Sequence, residues 1–310
     1  MFTHKLKKHN LSRPQVANRG IQEGRTPQPS SFEQYMKMTW NSLPQKSDLT
    51  TDQVRDVFSR ILHEMGLTVN SLKVGIKRAV VQAEVQFDDK RNVALNYDDY
   101  WLNTLAEDEV TAVLSHESCH IATIPDSRIV TFGPTPDLVA AFIEIFDEYL
   151  VHTEFARRFR GTRTFDAFSE YKTRDFWSYE NILKGVREGL TNPARGLFSI
   201  LNDAIYFPIV GDRRFVEWCD KNNLRKLPQF LDWLLHDFRL IENLKLERMK
   251  AMEIIALEGI LSLSVSGQIL LTSGDILFVD SAPEAEDALS QKTIELADIW
   301  RNRRTAAAVK

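Results

Sequence analysis

Cysteine is nearly absent from this chain. Cys119 and Cys219 are the only two among 310 residues, too few for a disulfide framework, so a reducing compartment is the expected setting. Glycine (13) and proline (11) are also scarce, which argues against a Gly-rich phosphate-loop enzyme and against a turn-rich all-β protein. No charge of one sign dominates: 39 basic against 43 acidic side chains leave a net charge of -4. That excludes a generally basic nucleic-acid binder and leaves only local basic patches. Long apolar runs are missing too. The most apolar stretch, Met252–Leu271, is broken by Glu253, Glu258, Gly259, Gly267 and Gln268, which makes a poor membrane span. Met1–Asn10 is polar and basic, without the apolar centre of a signal peptide. These absences predict a cytoplasmic, mostly helical protein with no membrane partner, long enough to bury a core without covalent staples.

The first thirty residues carry Lys5, Lys7, Lys8, Arg13, Arg19 and Arg25 against a single acid, Glu23, and show no sustained periodicity. Residues 1–31 therefore read as a disordered basic tail. Nucleic acid enters the expectations only through that arm, and a solvated tail is the simpler reading. Order is expected from Phe32–Trp40. A helix follows from Thr51-Asp52, with Val54, Val57, Phe58, Ile61, Leu62 and Met65 at helical spacing and Gly66 closing it. The period then changes. Ala79, Val81, Ala83, Val85 and Phe87 alternate with Gln82, Glu84 and Gln86, and Arg91, Val93, Leu95 and Tyr97 repeat the alternation, which predicts a hairpin with one solvated face. Helices are expected over Leu105–Thr123, Asp137–Arg160, Arg174–Leu190, Pro228–Leu263 and Pro283–Arg304, with a short hairpin at Gln268–Asp280. The predicted class is α+β and mostly helical: a small antiparallel sheet packed on an active-site helix, followed by a helical C-terminal half. A boundary is expected near Gly161–Arg174, giving a catalytic domain over 32–165 and a helical region over 166–310.

The chemically informative run is His116-Glu117-Ser118-Cys119-His120. Histidines four apart on a helix project from one face, one turn above the other, so both imidazoles can reach a single metal. The glutamate after the first histidine points beside that pair, where it can act on a metal-bound water instead of ligating. The helix is credible, because Val110, Val113, Leu114 and Ile121 are apolar and Glu107, Asp108 and Glu109 make its start acidic. A catalytic zinc needs three protein ligands and an open position. The next helix offers Glu144, Asp147, Glu148, His152 and Glu154. Glu144, Glu148 and His152 share one face, so spacing leaves the third ligand open among them.

The stretch Leu105–Ile121, with its HExxH core, resembles the active-site helix of the gluzincin zinc metallopeptidases. It is closest to the HtpX-like peptidases and more distantly similar to the soluble ImmA/IrrE family. In both, a second helix carries a ligand glutamate, and Glu148-Tyr149-Leu150-Val151-His152 followed by Phe155-Ala156 is similar to it. The resemblance spans about a quarter of the chain, Lys73 to roughly Arg160. It implies Glu148 as third zinc ligand, with His152 where an acidic or amide residue is usual and Cys119 where a glycine is usual. It further implies hydrolysis of peptide bonds by a zinc-activated water, with Glu117 as general base and a peptide or protein substrate. A regulatory protein is a second class of partner, because soluble relatives act on or beside transcriptional regulators. The Ala79–Phe87 strand is the expected peptide-binding edge, and Tyr206, Arg213 and His236 are the candidate oxyanion donors.

Plainer readings stand beside these. A helix face can repeat histidine by accident, and Glu148 can be an ordinary helix carboxylate. His152 as a hydrogen-bonding partner of a ligand competes with His152 as an alternative ligand, alongside Glu144. Cys119 reads as a small buried residue, since it points away from the two histidines. Trp177, Trp218, Phe230, Trp233 and Phe238 read as core. The runner-up for the whole protein is a non-catalytic, metalloprotease-like regulatory or binding module. An intact Glu117 favours the enzyme.

Overall fold

Thr50 opens the first helix of the computed structural model, α1 (Thr51–Glu64), by a reciprocal capping box. Its hydroxyl accepts from the Gln53 N–H at 3.3 Å, while the Gln53 side chain accepts from the Thr50 N–H at 2.8 Å. The helix buries Val54, Phe58, Ile61 and Leu62, the stripe its sequence spacing predicts, and ends at Met65 with Gly66 in the left-handed region (φ 71°). The structure describes residues 43–78, 82–88, 90–123, 137–187, 193–243, 269–272 and 275–277. The expected tail, the ordered start near Phe32, the loop around Pro125–Pro136 and the helix at Pro283–Arg304 lie outside these residues.

Three strands follow: β1 (Ser71–Ile76), β2 (Ala83–Phe87) and β3 (Asn92–Tyr97). Strands β2 and β3 form the expected antiparallel hairpin, with Val85 opposite Leu95, although β2 is half-buried along its whole length instead of alternating, and Ala79 and Val81 lie outside the described residues. Val93, Leu95 and Tyr97 are buried and their neighbours are not, so the predicted alternation of β3 is realised. The expectation of a wholly antiparallel sheet is corrected, however. The order is β1-β3-β2, and β1 lies parallel to β3, with Val74 opposite Leu95. The sheet is mixed because the chain leaves β1, passes to the far side of the sheet for β2, and returns through the middle as β3. Of β1 only Val74 is buried, which is why its Ser71-Leu72-Lys73-Val74-Gly75-Ile76 run gives a weak strand signal.

Asp98 caps the short α2 (Asp99–Asn103), accepting from the Trp101 N–H. Then comes α3 (Glu107–Thr123), which carries the histidine motif. Its start is closed by Glu109, whose carboxylate accepts from the Ala106 N–H at 2.7 Å. Val110, Ala112–His116, Ser118 and Cys119 are all buried, so α3 is covered on nearly every side and lacks a clear polar face. It packs against α1, β2, α4 (Asp137–Phe159) and α5 (Arg163–Arg174). Gly161, at φ 84°, turns the chain between α4 and α5, and Thr162 caps α5 by accepting from the Phe165 N–H. The stretch where the domain boundary is expected is thus itself a helix, lying against the motif helix.

The remaining helices are α6 (Phe176–Arg187), α7 (Pro193–Ala204), α8 (Tyr206–Val210), α9 (Arg214–Lys221) and α10 (Lys226–Asn243). Pro193 opens α7, where its missing N–H costs nothing. The expected Pro228–Leu263 helix corresponds to α10 as far as Asn243, and its remainder lies outside the described residues. The expected C-terminal hairpin is present as β4 (Ile269–Thr272) paired antiparallel with β5 (Asp275–Leu277). One continuous apolar core runs from Val93 and Leu95 through Leu114 and Phe168 to Phe207, Trp218 and Phe238. The fold is therefore α+β and mostly helical. Among the described residues no helix is long and apolar enough to cross a membrane.

Candidate metal centre

Helix α3 brings His116 and His120 to one face, with their rings 5.3 Å apart and nearly perpendicular. Helix α4 packs against that face and delivers Glu148 between them. His116 Nε2 lies 3.3 Å from Glu148 Oε2, and His120 Nε2 lies 3.4 Å from Oε1. One turn further along α4, His152 Nε2 lies 3.4 Å from Oε2. Four donors thus converge from two helices.

Glu117 projects beside them and is largely buried, its Oε1 3.6 Å from His116 Nδ1. Two groups have donor atoms all within 4.8 Å of one another, His116-Glu117-His120 and His116-Glu148-His152; Glu144, the other carboxylate open as third ligand, is exposed one turn earlier and belongs to neither. Of the three rivals on that helix face, Glu148 lies within 3.4 Å of His116, His120 and His152, whereas Glu144 is exposed.

Burial and charge set the state of these donors. Burial raises the Glu148 carboxyl, but His120 and His116 beside it hold it well below the usual carboxylate range, so it is an anion. Burial lowers His120, and the Glu148 charge and hydrogen bond outweigh that, lifting the imidazole to about 9. His152 is held well below the ordinary imidazole value, by burial first and by the neighbouring His116 second. It is a neutral ring with a free lone pair. The nitrogens of His152 and Nε2 of His116 have no hydrogen-bond partner among the described residues. Such orphaned buried nitrogens are uncommon in folded proteins.

The arrangement fits a divalent metal. Two donors bound to one tetrahedral ion at about 2.0–2.1 Å stand about 3.4 Å apart, and His116 and His152 lie 3.3 and 3.4 Å from Glu148 Oε2 while His120 lies 3.4 Å from Oε1. Imidazoles, which must give up any extra proton to bind an ion, together with one carboxylate also suit the borderline chemistry of zinc.

The surroundings supply a wall that the motif alone does not reveal. Phe168 from α5 stacks on His116 with ring centres 5.0 Å apart and planes 17° from parallel. Tyr206 meets His152 edge-on at 5.3 Å, and its hydroxyl is engaged by Ser169 at 2.6 Å. Of the three oxyanion candidates, Tyr206 is the one beside the centre. Arg213 and His236 are both exposed, on or beside the later helices. Cys119 is fully buried, which pushes its thiol up to about 12. It is an inert packing residue, as its direction on the helix suggests.

Sequence reasoning missed Lys172. It is buried on α5, donates to Asp203 at 2.9 Å and lies 3.9 Å from Asp175, and its charge reaches Glu148 and His152. The one available signal was its place in the buried stripe Ala167, Phe168, Tyr171, Lys172, an unusual place for a lysine. A separate cleft of about 430 Å³ lies at the meeting of α1, α3 and α4, lined by Arg60, Glu64, Thr111, Ser115 and Arg158 among others. None of the four donors lines it.

Comparison with protein-family models, with curated proteins and with solved structures returns no match for this chain.

Proposed function

We propose that this protein is a zinc-dependent metallopeptidase, in which His116, His120 and Glu148 hold the ion and Glu117 is the general base. The observation that carries the reading is the Glu148 carboxylate lying between the Nε2 atoms of His116 and His120 at 3.3 and 3.4 Å, with Glu117 beside them on the same helix. Bound zinc supplies Lewis acidity, which acidifies a water and polarises a carbonyl. Glu117, largely buried and adjoining His116, takes the proton from the attacking water and returns it to the leaving amine. Glu148 contributes the negative charge that offsets the ion, and His116 is kept in one orientation by the Phe168 ring stacked on it.

The substrate in this reading is a peptide or an extended protein segment. Support comes from β2, an edge strand of the described sheet that packs on the motif helix. Its free edge could receive a further strand.

The test combines metal content with turnover. Purified protein should hold about one zinc per chain, lost in His116→Ala. Glu117→Gln should keep the metal while hydrolysis of a peptide mixture falls by ~10²–10⁴, the range for removing a general base. Unchanged hydrolysis in Glu117→Gln would sink the peptidase mechanism. A metal-binding chain with no hydrolysis in the parent protein would instead favour the non-catalytic module.

A further inference from the structure

His152 follows Glu148 by one helical turn on α4, so both side chains leave the same face of that helix. The ring is 0% exposed, and neither of its nitrogens has a hydrogen-bond partner among the described residues. That is an unusual state for an imidazole, which carries both a donor and an acceptor and loses water to both on burial. A role in merely orienting Glu148 or His116 would give the ring N–H a well-aligned acceptor. The nearest carboxylate oxygen, Glu148 Oε2, lies 3.4 Å from His152 Nε2 without hydrogen-bond geometry. The Tyr206 hydroxyl is already engaged by Ser169.

What His152 Nε2 does match is the position of a metal donor. Its distance from Oε2 equals, within 0.1 Å, that of His116 Nε2 from the same oxygen and of His120 Nε2 from Oε1. His116, Glu148 and His152 also form one of the groups whose donor atoms all approach one another within 4.8 Å. The His116 and His152 rings lie 4.6 Å apart and tilted by 40°, too oblique for stacking.

We infer that His152 Nε2 is a fourth protein ligand of the metal held by His116, His120 and Glu148. This rests on the metal-centre reading above and changes its coordination chemistry. Three imidazoles and a carboxylate fill a tetrahedral ion. Water then enters only as a fifth donor or by displacing His152, so the resting centre is closed where an ordinary catalytic zinc site is open. His152 becomes the residue that decides when Glu117 has a water to act on.

The experiment uses the full chain loaded with zinc for X-ray absorption, and with cobalt(II) for visible spectroscopy with azide as the probe. The expected result is three imidazoles per zinc and a cobalt spectrum that azide leaves unchanged. In His152→Phe, which fills the same volume without a donor, the count should fall to two and azide should shift the spectrum. Zinc affinity should drop by more than ~100-fold, beyond the range typical of residues that only orient a ligand. His152→Ala serves as a second variant, checked for folding by circular dichroism, and the imidazole count of the parent protein needs no variant at all. Bound zinc with two imidazoles and a spectrum identical in parent and variants would overturn the fourth ligand while leaving the centre intact. Failure of the parent chain to bind zinc, or equal binding in His116→Ala, would overturn the centre and this inference with it.

Discussion

Lys172 shows how much a single buried charge demands of its neighbours. At 4% exposure it has lost nearly all its water, and two carboxylates replace it: Asp203 at 2.9 Å and Asp175 at 3.9 Å. Lys172 is shared between the buried Asp175 and the part-exposed Asp203, and it sits closer to Asp203. Asp175, itself 6% exposed, is pushed up to about 8, by burial first and by the nearby Asp203 charge against the pull of Lys172. Its folded pKa therefore exceeds its unfolded value near 3.8, and the folded state holds the extra proton. The stability this provides is complete below about pH 4 and is lost as pH rises through about 8. Asp175→Asn mimics the protonated acid and removes that slope. Urea midpoints of parent and variant should be similar near pH 4, with the variant gaining on the parent steadily from there to about pH 8. Parallel pH profiles would show that Asp175 is ionised throughout.

At the level of elements, local chemistry marks some boundaries and leaves others to packing. The start of α1 is written in Thr50 and Gln53, whose side chains and backbone satisfy each other. Thr50→Ala should cost ~1 kcal/mol and lower the melting temperature by roughly 2–4 °C, without touching the centre. An unaltered melting curve would mean that the α1 start is held by its buried stripe alone. The end of α1 at Gly66 and the β2–β3 hairpin were equally legible, because each depends on neighbours in sequence. Strand β1 was not. Its pairing with β3 is parallel and joins Ser71 to Asn92, so the partner that makes it a strand lies on the other side of a hairpin. Helix α5 was also unread, since its short Arg163–Arg174 segment mixes Phe168 and Tyr171 with Lys172 and four other charges of both signs. It becomes intelligible only when Phe168 is seen covering His116 and Lys172 facing Asp203.

For the whole molecule, the proposed centre would tie two helices that meet deep in one core. His116 and His120 come from α3, Glu148 and His152 from α4, and the loop between those helices lies outside the described residues. Metal that binds the folded chain and not the unfolded one must stabilise it by mass action. Zinc at a hundredfold excess over its dissociation constant should add about 2.7 kcal/mol, a rise in melting temperature of roughly 5–10 °C. A chelator should reverse the rise, and His116→Ala should show none. A melting temperature indifferent to both zinc and chelator would count against a metal centre in this fold.

What the sequence determined by itself is whatever depends on spacing along one helix or strand. The four-residue interval of His116 and His120, the apolar stripe of α1 and the alternation of β3 follow from helical and strand geometry, which is independent of the rest of the chain. The tertiary structure decided what depends on depth and on partners far away in sequence. Glu144, Glu148 and His152 share a helix face. Only the distance of that face from α3 separates the exposed Glu144 from the two donors that reach the histidines. The same holds for Phe168, Tyr206 and Lys172, whose roles come from the elements that close over the centre. Periodicity fixes direction around an axis, whereas distance between axes is set by packing of side chains that no local pattern specifies.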